Sequence, residues 1–147
     1  MKKYSTSLKT LLVALALVLA LLPQRAEAAG ASLSGNGTVQ AGSTVTLTLS
    51  VSGSNIMGVT ATLDYDSSAL EFESYSQLVN GWSMDVNGVN FLLYGVSNPI
   101  NSSTSVLSVT FRVKSGLSSG TALTAGFKGI TVSDGTKDES VSDASWS

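Results

Sequence analysis

The feature that most constrains the fold of this chain is an alternation of aliphatic and polar residues that recurs in four separate segments. Segment 44–52 reads Thr-Val-Thr-Leu-Thr-Leu-Ser-Val-Ser, and segments 59–65, 107–114 and 123–128 follow the same period of two. Because successive side chains of a β-strand point to opposite sides of the sheet, this pattern builds strands with one apolar and one polar face. No segment after residue 28 keeps the 3.6-residue period of an amphipathic helix. The sequence therefore predicts an all-β fold.

Short turn signals rich in Gly, Asn, Asp and Ser separate these segments. The signals are Ala41-Gly42-Ser43, Gly53-Ser54-Asn55, Asp66-Ser67-Ser68, Asn80-Gly81, Asn87-Gly88, Asn98-Pro99 and Asp134-Gly135. Turns at such close intervals predict many short strands, which is typical of a two-sheet sandwich or jelly roll. We count about nine strands between Ala31 and Trp146. We therefore expect residues 29–147 to form one domain, with no linker and no anchor after its last strand.

The apolar phase of each predicted strand also identifies a core. The side chains that we expect to be almost fully buried are Leu47, Leu63, Phe72, Phe91, Leu107, Phe111 and Phe127. A domain of about this size buries roughly two thirds of its unfolded surface, so this core can suffice without disulfides or metal.

The first 28 residues have the pattern of a signal peptide. A basic segment at 2–9 precedes an unbroken apolar run at 11–22, and the Ala-Glu-Ala tripeptide at 26–28 offers the small residues that signal peptidase accepts. We expect cleavage just before Ala29 and a secreted, extracellular or cell-surface protein that no membrane segment holds after cleavage. A retained membrane helix is the alternative, but the apolar run is shorter than the ~18–20 residues that span a bilayer.

Charge and composition argue against several classes of function. Residues 29–147 contain four Lys or Arg and nine Asp or Glu, a formal net charge of −5, which argues against nucleic-acid binding. The chain has no His and no Cys, so His-assisted nucleophiles and thiol chemistry are excluded. Its carboxylates fall in predicted turns or at outward strand positions, and the acidic segment 134–139 lacks the residue order of a calcium loop. We expect no catalysis, no metal site and no cofactor.

The dipeptide Asn87-Gly88 is the strongest local signal for a β-hairpin, because a two-residue type I′ turn needs positive φ at both central positions. If these two residues form the turn, the inward pairs are Val86 with Val89, Met84 with Phe91, and Trp82 with Leu93. The opposite face then carries Ser83, Asp85, Asn90, Leu92 and Tyr94. Leu92 and Tyr94 are thus apolar side chains on a polar face, which makes them candidate contact residues. The alternative is that they are scattered surface residues of no special role.

One stretch of the chain resembles the early sequence of a cohesin domain. A Gly-Val pair at 58–59 is followed by Tyr-Asp-Ser-Ser-Ala-Leu-Glu-Phe at 65–72, where cohesins characteristically read Tyr-Asp-Pro-x-x-Leu-x-Phe. Ser67 stands where the family usually has Pro. Segment 107–114 is similar to the long seventh strand of cohesins. The resemblance extends over the whole predicted domain and implies a nine-stranded flattened jelly-roll β-sandwich.

The resemblance also implies a partner and a face. Cohesins are receptor modules of cellulosomal scaffolds, and they bind calcium-loaded dockerins through one sheet face built largely from the third, fifth, sixth and eighth strands. We therefore expect a dockerin-type partner that carries the calcium, and a role in extracellular polysaccharide degradation. The residues expected on that face are Thr60, Thr62, Ser83, Asp85, Asn90, Leu92, Tyr94, Thr124 and Lys128. Cellulosomal cohesins of the best-known type place Asn and Asp on the third strand, where this chain has Gly58 and Thr60.

Two other functions are compatible with the sequence. A carbohydrate-binding module shares this sandwich architecture, and it would bind polysaccharide through exposed coplanar aromatic rings. Tyr94 is available for that role, whereas Trp82 is expected in the core and the pattern does not set the facing of Tyr75 and Trp146. A structural or adhesive surface module is the third possibility.

Overall fold

The computed structural model describes residues 28–147, which contain ten β-strands. The predicted all-β fold is confirmed. The strands are β1 (Gly30–Ser34), β2 (Thr44–Ser52), β3 (Gly58–Tyr65), β4 (Leu70–Gln77), β5 (Ser83–Asn87), β6 (Asn90–Tyr94), β7 (Thr104–Val113), β8 (Ala125–Ser133), β9 (Asp138–Ser140) and β10 (Ala144–Trp146). Within this part of the chain, no helix has the length and apolar character needed to cross a membrane. The predicted signal peptide, residues 1–28, lies outside the described residues except for Ala28.

The strands form two antiparallel sheets packed face to face. The first sheet has the order β1-β2-β7-β4, and the second has the order β10-β8-β3-β6-β5, with β9 also paired to β8. The chain passes from the first sheet to the second after β2 and returns after β3, as expected for a jelly-roll sandwich. The four strands that we expected to build one face, β3, β5, β6 and β8, are neighbours in the second sheet.

The core lies between the two sheets and is filled by the apolar phase of the strands. Six of the seven predicted core residues are at most 4% exposed, namely Leu47, Leu63, Phe91, Leu107, Phe111 and Phe127. Phe72 was predicted to be buried as well, but it is only partly buried. It lies on β4, an edge strand with a bulge between Phe72 and Ser74. The Phe72 ring therefore sits at the rim of the sandwich, where it stacks on Tyr75 with 5.9 Å between ring centroids.

The turn after β3 carries the chain from the second sheet to the first. Asp66 Oδ1 accepts hydrogen bonds from the Ser68 hydroxyl at 2.5 Å and from the Ser68 backbone N–H at 3.0 Å, as is typical of an Asx turn. These bonds, the hydroxyl bond above all, lower the pKa of the Asp66 carboxyl below its ordinary value. The Tyr65 ring packs on Phe111 with 4.9 Å between centroids. The cohesin-like motif therefore stabilises the turn between β3 and β4 and its packing on the core.

The structure has ten strands instead of the expected nine because the last edge strand is split. β9 and β10 both pair with β8, β9 at residues 131–133 and β10 at residues 125–127. The interruption lies beside Gly129, which has a φ of 59°. There the Asp143 Oδ1 atom accepts a hydrogen bond from the Gly129 N–H at 3.2 Å. A left-handed glycine inside a strand disrupts the regular ladder, and pairing resumes beyond it.

Candidate functional site

The β5–β6 hairpin has a different register from the one expected. Its ladder pairs Asn87 with Asn90, so the two turn residues are Gly88 and Val89, one position later than predicted. Gly88 has a φ of 63°, whereas Val89 does not have a positive φ. Positive φ at the first central residue alone is typical of a type II′ turn instead of type I′. The predicted pairing of Val86 with Val89 is therefore wrong by two residues.

The two faces of this hairpin are nevertheless those that the sequence predicted, because a slip of two residues leaves each side chain on its original face. Phe91 and Leu93 are buried, while Leu92 and Tyr94 point outward and are 40% and 42% exposed. Val89 is the exception among the predicted inward residues, since it lies in the turn and is 42% exposed. Leu92 and Tyr94 are thus exposed apolar side chains on an otherwise polar face.

The outward side chains of β3, β5, β6 and β8 form three cross-strand rows, which we call the second-sheet face. The first row holds Ser83, Tyr94, Gly58 and Ser133, the second holds Asp85, Leu92, Thr60 and Thr131, and the third holds Asn87, Asn90, Thr62 and Lys128. Eight of the nine predicted site residues therefore lie in these rows. Thr124 does not, because it precedes β8. Its carbonyl accepts a hydrogen bond from the Asp66 N–H at 3.1 Å, beyond the end of the rows.

Hydrogen bonds between side chains link neighbouring strands on this face. The Thr62 hydroxyl donates to Asn90 Oδ1 at 2.8 Å, which ties β3 to β6. The Tyr94 hydroxyl donates to Asp85 Oδ2 at 3.3 Å, which ties β6 to the edge strand β5. The Tyr94 ring is thus anchored at its polar end while its apolar surface stays open to solvent, an arrangement suited to contact with a partner.

One basic and two acidic groups set the charge of the face. Lys128 Nζ lies 2.8 Å from Asp64 Oδ2, and the hydrogen bond to that carboxylate raises the pKa of Lys128 above its ordinary value. These two charges balance each other at the end of the third row. Asp85 takes part in neither of the ion pairs found within residues 28–147. The edge strand β5 therefore carries a carboxylate that has no ion-pair partner among the described residues.

A shallow trough of about 360 Å³ crosses the face between its second and third rows. It runs from Asp85 on β5, past Leu92 on β6 and Thr62 on β3, to Gly129 on β8. Because adjacent strands lie roughly 4.8 Å apart, a trough that spans four strands is about 14 Å long. The trough is a concave feature of the pleated sheet surface.

Sequence reasoning missed three side chains of the face. Asn87 was placed in the turn, and the alternation pattern alone misses Thr131 and Ser133. Lys128 and Thr131 both point outward although they are three residues apart, because the bulge at Gly129 places an extra residue of β8 opposite β3. An isolated glycine within a strand pattern is the signal that indicates such a bulge. Its effect on facing depends on the pairing with β3, which the pattern of β8 does not contain.

The aromatic residues of the described chain do not form a flat platform. Trp82 and Trp146 are each 8% exposed, and each indole N–H donates to a backbone carbonyl. Tyr75 lies at the rim, with its ring edge-on to the Phe91 ring at 5.5 Å between centroids. Tyr94 is the one aromatic side chain in the three rows of the second-sheet face. A row of coplanar rings, as a flat sugar-binding module requires, is not present within residues 28–147.

The two packed sheets and the exposed apolar side chains on one of them define the class of this protein as a β-sandwich module. The family model of the cohesin domain matches residues 30–145, almost the whole described chain. The chain belongs to the cohesin family, and the resemblance seen in the sequence is confirmed. Cohesin domains are binding modules, not enzymes. No curated protein matches the chain.

Solved structures share this fold at low sequence identity. A cohesin module from a family 33 glycoside hydrolase of Clostridium perfringens ATCC13124 has a TM-score of 0.71 at 16% identity, and the match covers 80% of this chain and 93% of that one. A non-cellulosomal cohesin from the hyperthermophilic archaeon Archaeoglobus fulgidus has a TM-score of 0.56 at 16% identity, covering 79% and 88%. A chain of the CaDoc0917–CaCohA2 complex has a TM-score of 0.58 at 14% identity, covering 78% and 96%. Likeness at these identities establishes the fold alone.

Proposed function

We propose that this chain is a secreted cohesin module that docks a dockerin-type partner through the second-sheet face, in extracellular polysaccharide degradation. The observation that carries the proposal is the outward exposure of Leu92 and Tyr94 among the polar side chains of the second-sheet face. Protein interfaces typically have an apolar or aromatic centre surrounded by a polar rim. Leu92 and Tyr94 supply such a centre, and the surrounding Thr, Ser and Asn side chains supply the rim.

The family supports a dockerin as the partner. One structural neighbour belongs to a cohesin–dockerin complex, and the resemblance in sequence assigns docking to the strands that form this face. Tyr94 pairs with Gly58 and Leu92 pairs with Thr60, the two positions where the best-known cellulosomal cohesins carry Asn and Asp. The contact proposed here therefore relies more on apolar burial and less on third-strand hydrogen bonds.

Replacing both apolar residues tests the proposal. Truncation of a central aromatic or apolar contact residue often costs about 2 kcal/mol or more of binding energy, so Leu92→Ala with Tyr94→Ala should abolish capture of a dockerin from the same organism's secreted proteins. The melting temperature should be nearly unchanged because both side chains point away from the core. Chelation of calcium should also abolish capture without changing the melting temperature, since the partner holds the ion. Capture at wild-type affinity by the double variant would show that the assigned face is wrong.

A carbohydrate-binding role has less support, because the two Trp rings are buried and the face carries a single Tyr. The same double variant distinguishes this role. If the wild-type protein is retained on cellulose or chitin and the variant is not, the face binds polysaccharide instead of a protein. Retention of both proteins on the polysaccharide would place sugar binding elsewhere on the surface.

Secretion is part of the proposal and has its own test. Ala29 is the first residue after the expected cleavage site and directly precedes β1. Mass spectrometry of the culture supernatant should therefore find Ala29 at the amino terminus. Intact chain starting at Met1 in the membrane fraction would contradict both the cleavage site and the secreted location.

A further inference from the structure

The trough on the second-sheet face has two ends of different chemistry. At the β5 end lies the Asp85 carboxylate, which accepts a 3.3 Å hydrogen bond from the Tyr94 hydroxyl and has no cationic partner among the described ion pairs. At the β8 end lies Gly129, which has no side chain and whose N–H donates to Asp143 Oδ1 at 3.2 Å. Between them the walls are formed by the Leu92 side chain and the Thr62 and Asn90 side chains. The trough is therefore apolar along one wall and polar along the other. The Asp85 carboxylate lies at its β5 end, and the Asp143 carboxylate lies beside the Gly129 backbone at its β8 end.

The negative charge of Asp85 at the β5 end indicates which kind of side chain the trough can bind. Asp85 is the one ionisable residue that lines the trough, and the predicted domain has a net negative charge, which favours approach of a positive group. Lys and Arg bury their aliphatic stems along apolar surface while the charged head stays at a polar site. A basic side chain can thus lie against Leu92 and reach the Asp85 carboxylate.

At the β8 end, the absence of a side chain on Gly129 affects how closely a partner can approach. Gly129 has a left-handed φ of 59°, and a Cβ atom built there meets no heavy atom within 4 Å. A side chain at position 129 would therefore not clash with the rest of the fold. The left-handed backbone conformation favours glycine there. A residue without a side chain at a bulge lets another backbone approach closely. At this position any side chain would extend over the open end of the trough.

We propose that the trough determines which partner is accepted, by receiving a Lys or Arg side chain of the partner at Asp85 and its backbone at Gly129. This inference rests on the proposed docking function of the second-sheet face. It adds the chemical class of the contacting group and two determinants, Asp85 and Gly129. Partners with an acidic residue at the corresponding position are excluded by repulsion from Asp85.

The experiment uses a yeast-displayed library of calcium-loaded dockerin modules of known sequence, probed with the purified protein. Asp85→Asn keeps the shape and the acceptor for Tyr94 but removes the charge, and Glu71→Gln on the outer side of β4 is its control. Gly129→Asn adds a side chain that tolerates a left-handed φ, and Gly116→Asn is its control because Gly116 also has a positive φ, 86°, and open space. Melting temperatures are measured for these four variants and for Asp85→Lys.

We expect Asp85→Asn and Gly129→Asn each to weaken binding of the captured dockerins at least about tenfold, with both controls within twofold of wild type. Added salt should weaken wild-type binding more than Asp85→Asn binding, and Asp85→Lys should select dockerins with an acidic residue. If the captured dockerins bind both variants as tightly as wild type, the trough inference is overturned and the docking face stands. If no dockerin is captured by the wild-type protein, the proposed function fails and this inference fails with it. If Gly129→Asn does not fold, the two Asp85 variants decide alone.

Discussion

The two outer faces of this sandwich are built on the same period of two, yet they differ in what they present to solvent. On the first sheet the outward side chains of β2 are Thr44, Thr46, Thr48, Ser50 and Ser52, and hydroxyls continue across β1, β7 and β4. We call this the hydroxyl face. Its hydroxyls bond to one another, as Thr46 and Thr110 do at 2.9 Å. Ser50 and Ser105 form a second such pair at 3.2 Å.

The second-sheet face differs because of a single strand. In β6 the sequence Phe-Leu-Leu-Tyr at 91–94 is apolar at four consecutive positions, whereas β2 alternates over its full length. A continuous apolar run within a strand is typical of strands that are covered on both sides. One side of β6 is covered by the core, and the other side carries Leu92 and Tyr94. The comparison teaches that a break in the alternation, more than any motif, distinguishes the proposed docking face from the hydroxyl face.

The largest effect on stability is expected in the core that the two faces share. Phe111 is fully buried on β7, behind the hydroxyl face, and contacts Tyr65 and Phe72 from both ends of the β3–β4 turn. Phe111→Ala should lower the free energy of unfolding by about 3–5 kcal/mol, because it leaves a cavity between the sheets. A urea melt measures this change. A loss below about 1 kcal/mol would contradict the inward facing of Phe111, and with it the division of the sheet into a core side and a hydroxyl face.

A smaller effect is expected when the hydroxyl face is altered. Thr46→Ala with Thr110→Ala removes a cross-strand hydroxyl pair, which contributes roughly 0.2–1 kcal/mol in an antiparallel sheet. The free energy of unfolding should fall by no more than about 1 kcal/mol, and capture of the partner should not change. This variant is the matched control for Leu92→Ala with Tyr94→Ala on the opposite side. If it reduced capture as strongly, the difference between the two faces would not determine binding.

The smallest effect is expected at the turn that joins the two sheets. Ser68→Ala removes the hydroxyl that donates to Asp66, so the pKa of Asp66 should rise toward its ordinary value. Because the folded-state pKa of Asp66 is lowered, its contribution to stability is present above the unfolded-state pKa and is lost as the pH falls below about 4. In the variant this contribution should be smaller, so acidification below about pH 4 should cost it less stability than wild type, and partner capture at neutral pH should not change. NMR titration of the Asp66 carboxyl carbon measures the pKa, and an unchanged value would show that the hydroxyl is not its cause.

Sequence periodicity by itself determined the all-β fold, the core and the side of the sheet on which Leu92 and Tyr94 lie. It could do so because facing depends on whether a position is odd or even along its strand, which is a local property. For the same reason, the wrong hairpin register did not change which side chains were predicted to point outward. Moving the turn from Asn87-Gly88 to Gly88-Val89 shifts the pairing by two residues, and a shift of two preserves facing.

Tertiary structure decided what depends on pairing between distant segments. Thr131 and Ser133 join the face, and the last edge strand splits in two, because Gly129 adopts a left-handed conformation where β8 lies beside β3. The trough exists because β5, β6, β3 and β8 come side by side in this order. Phe72 is partly exposed because β4 lies at an edge. Each of these features is set by which strand lies next to which, and the alternation within one strand does not encode its neighbours.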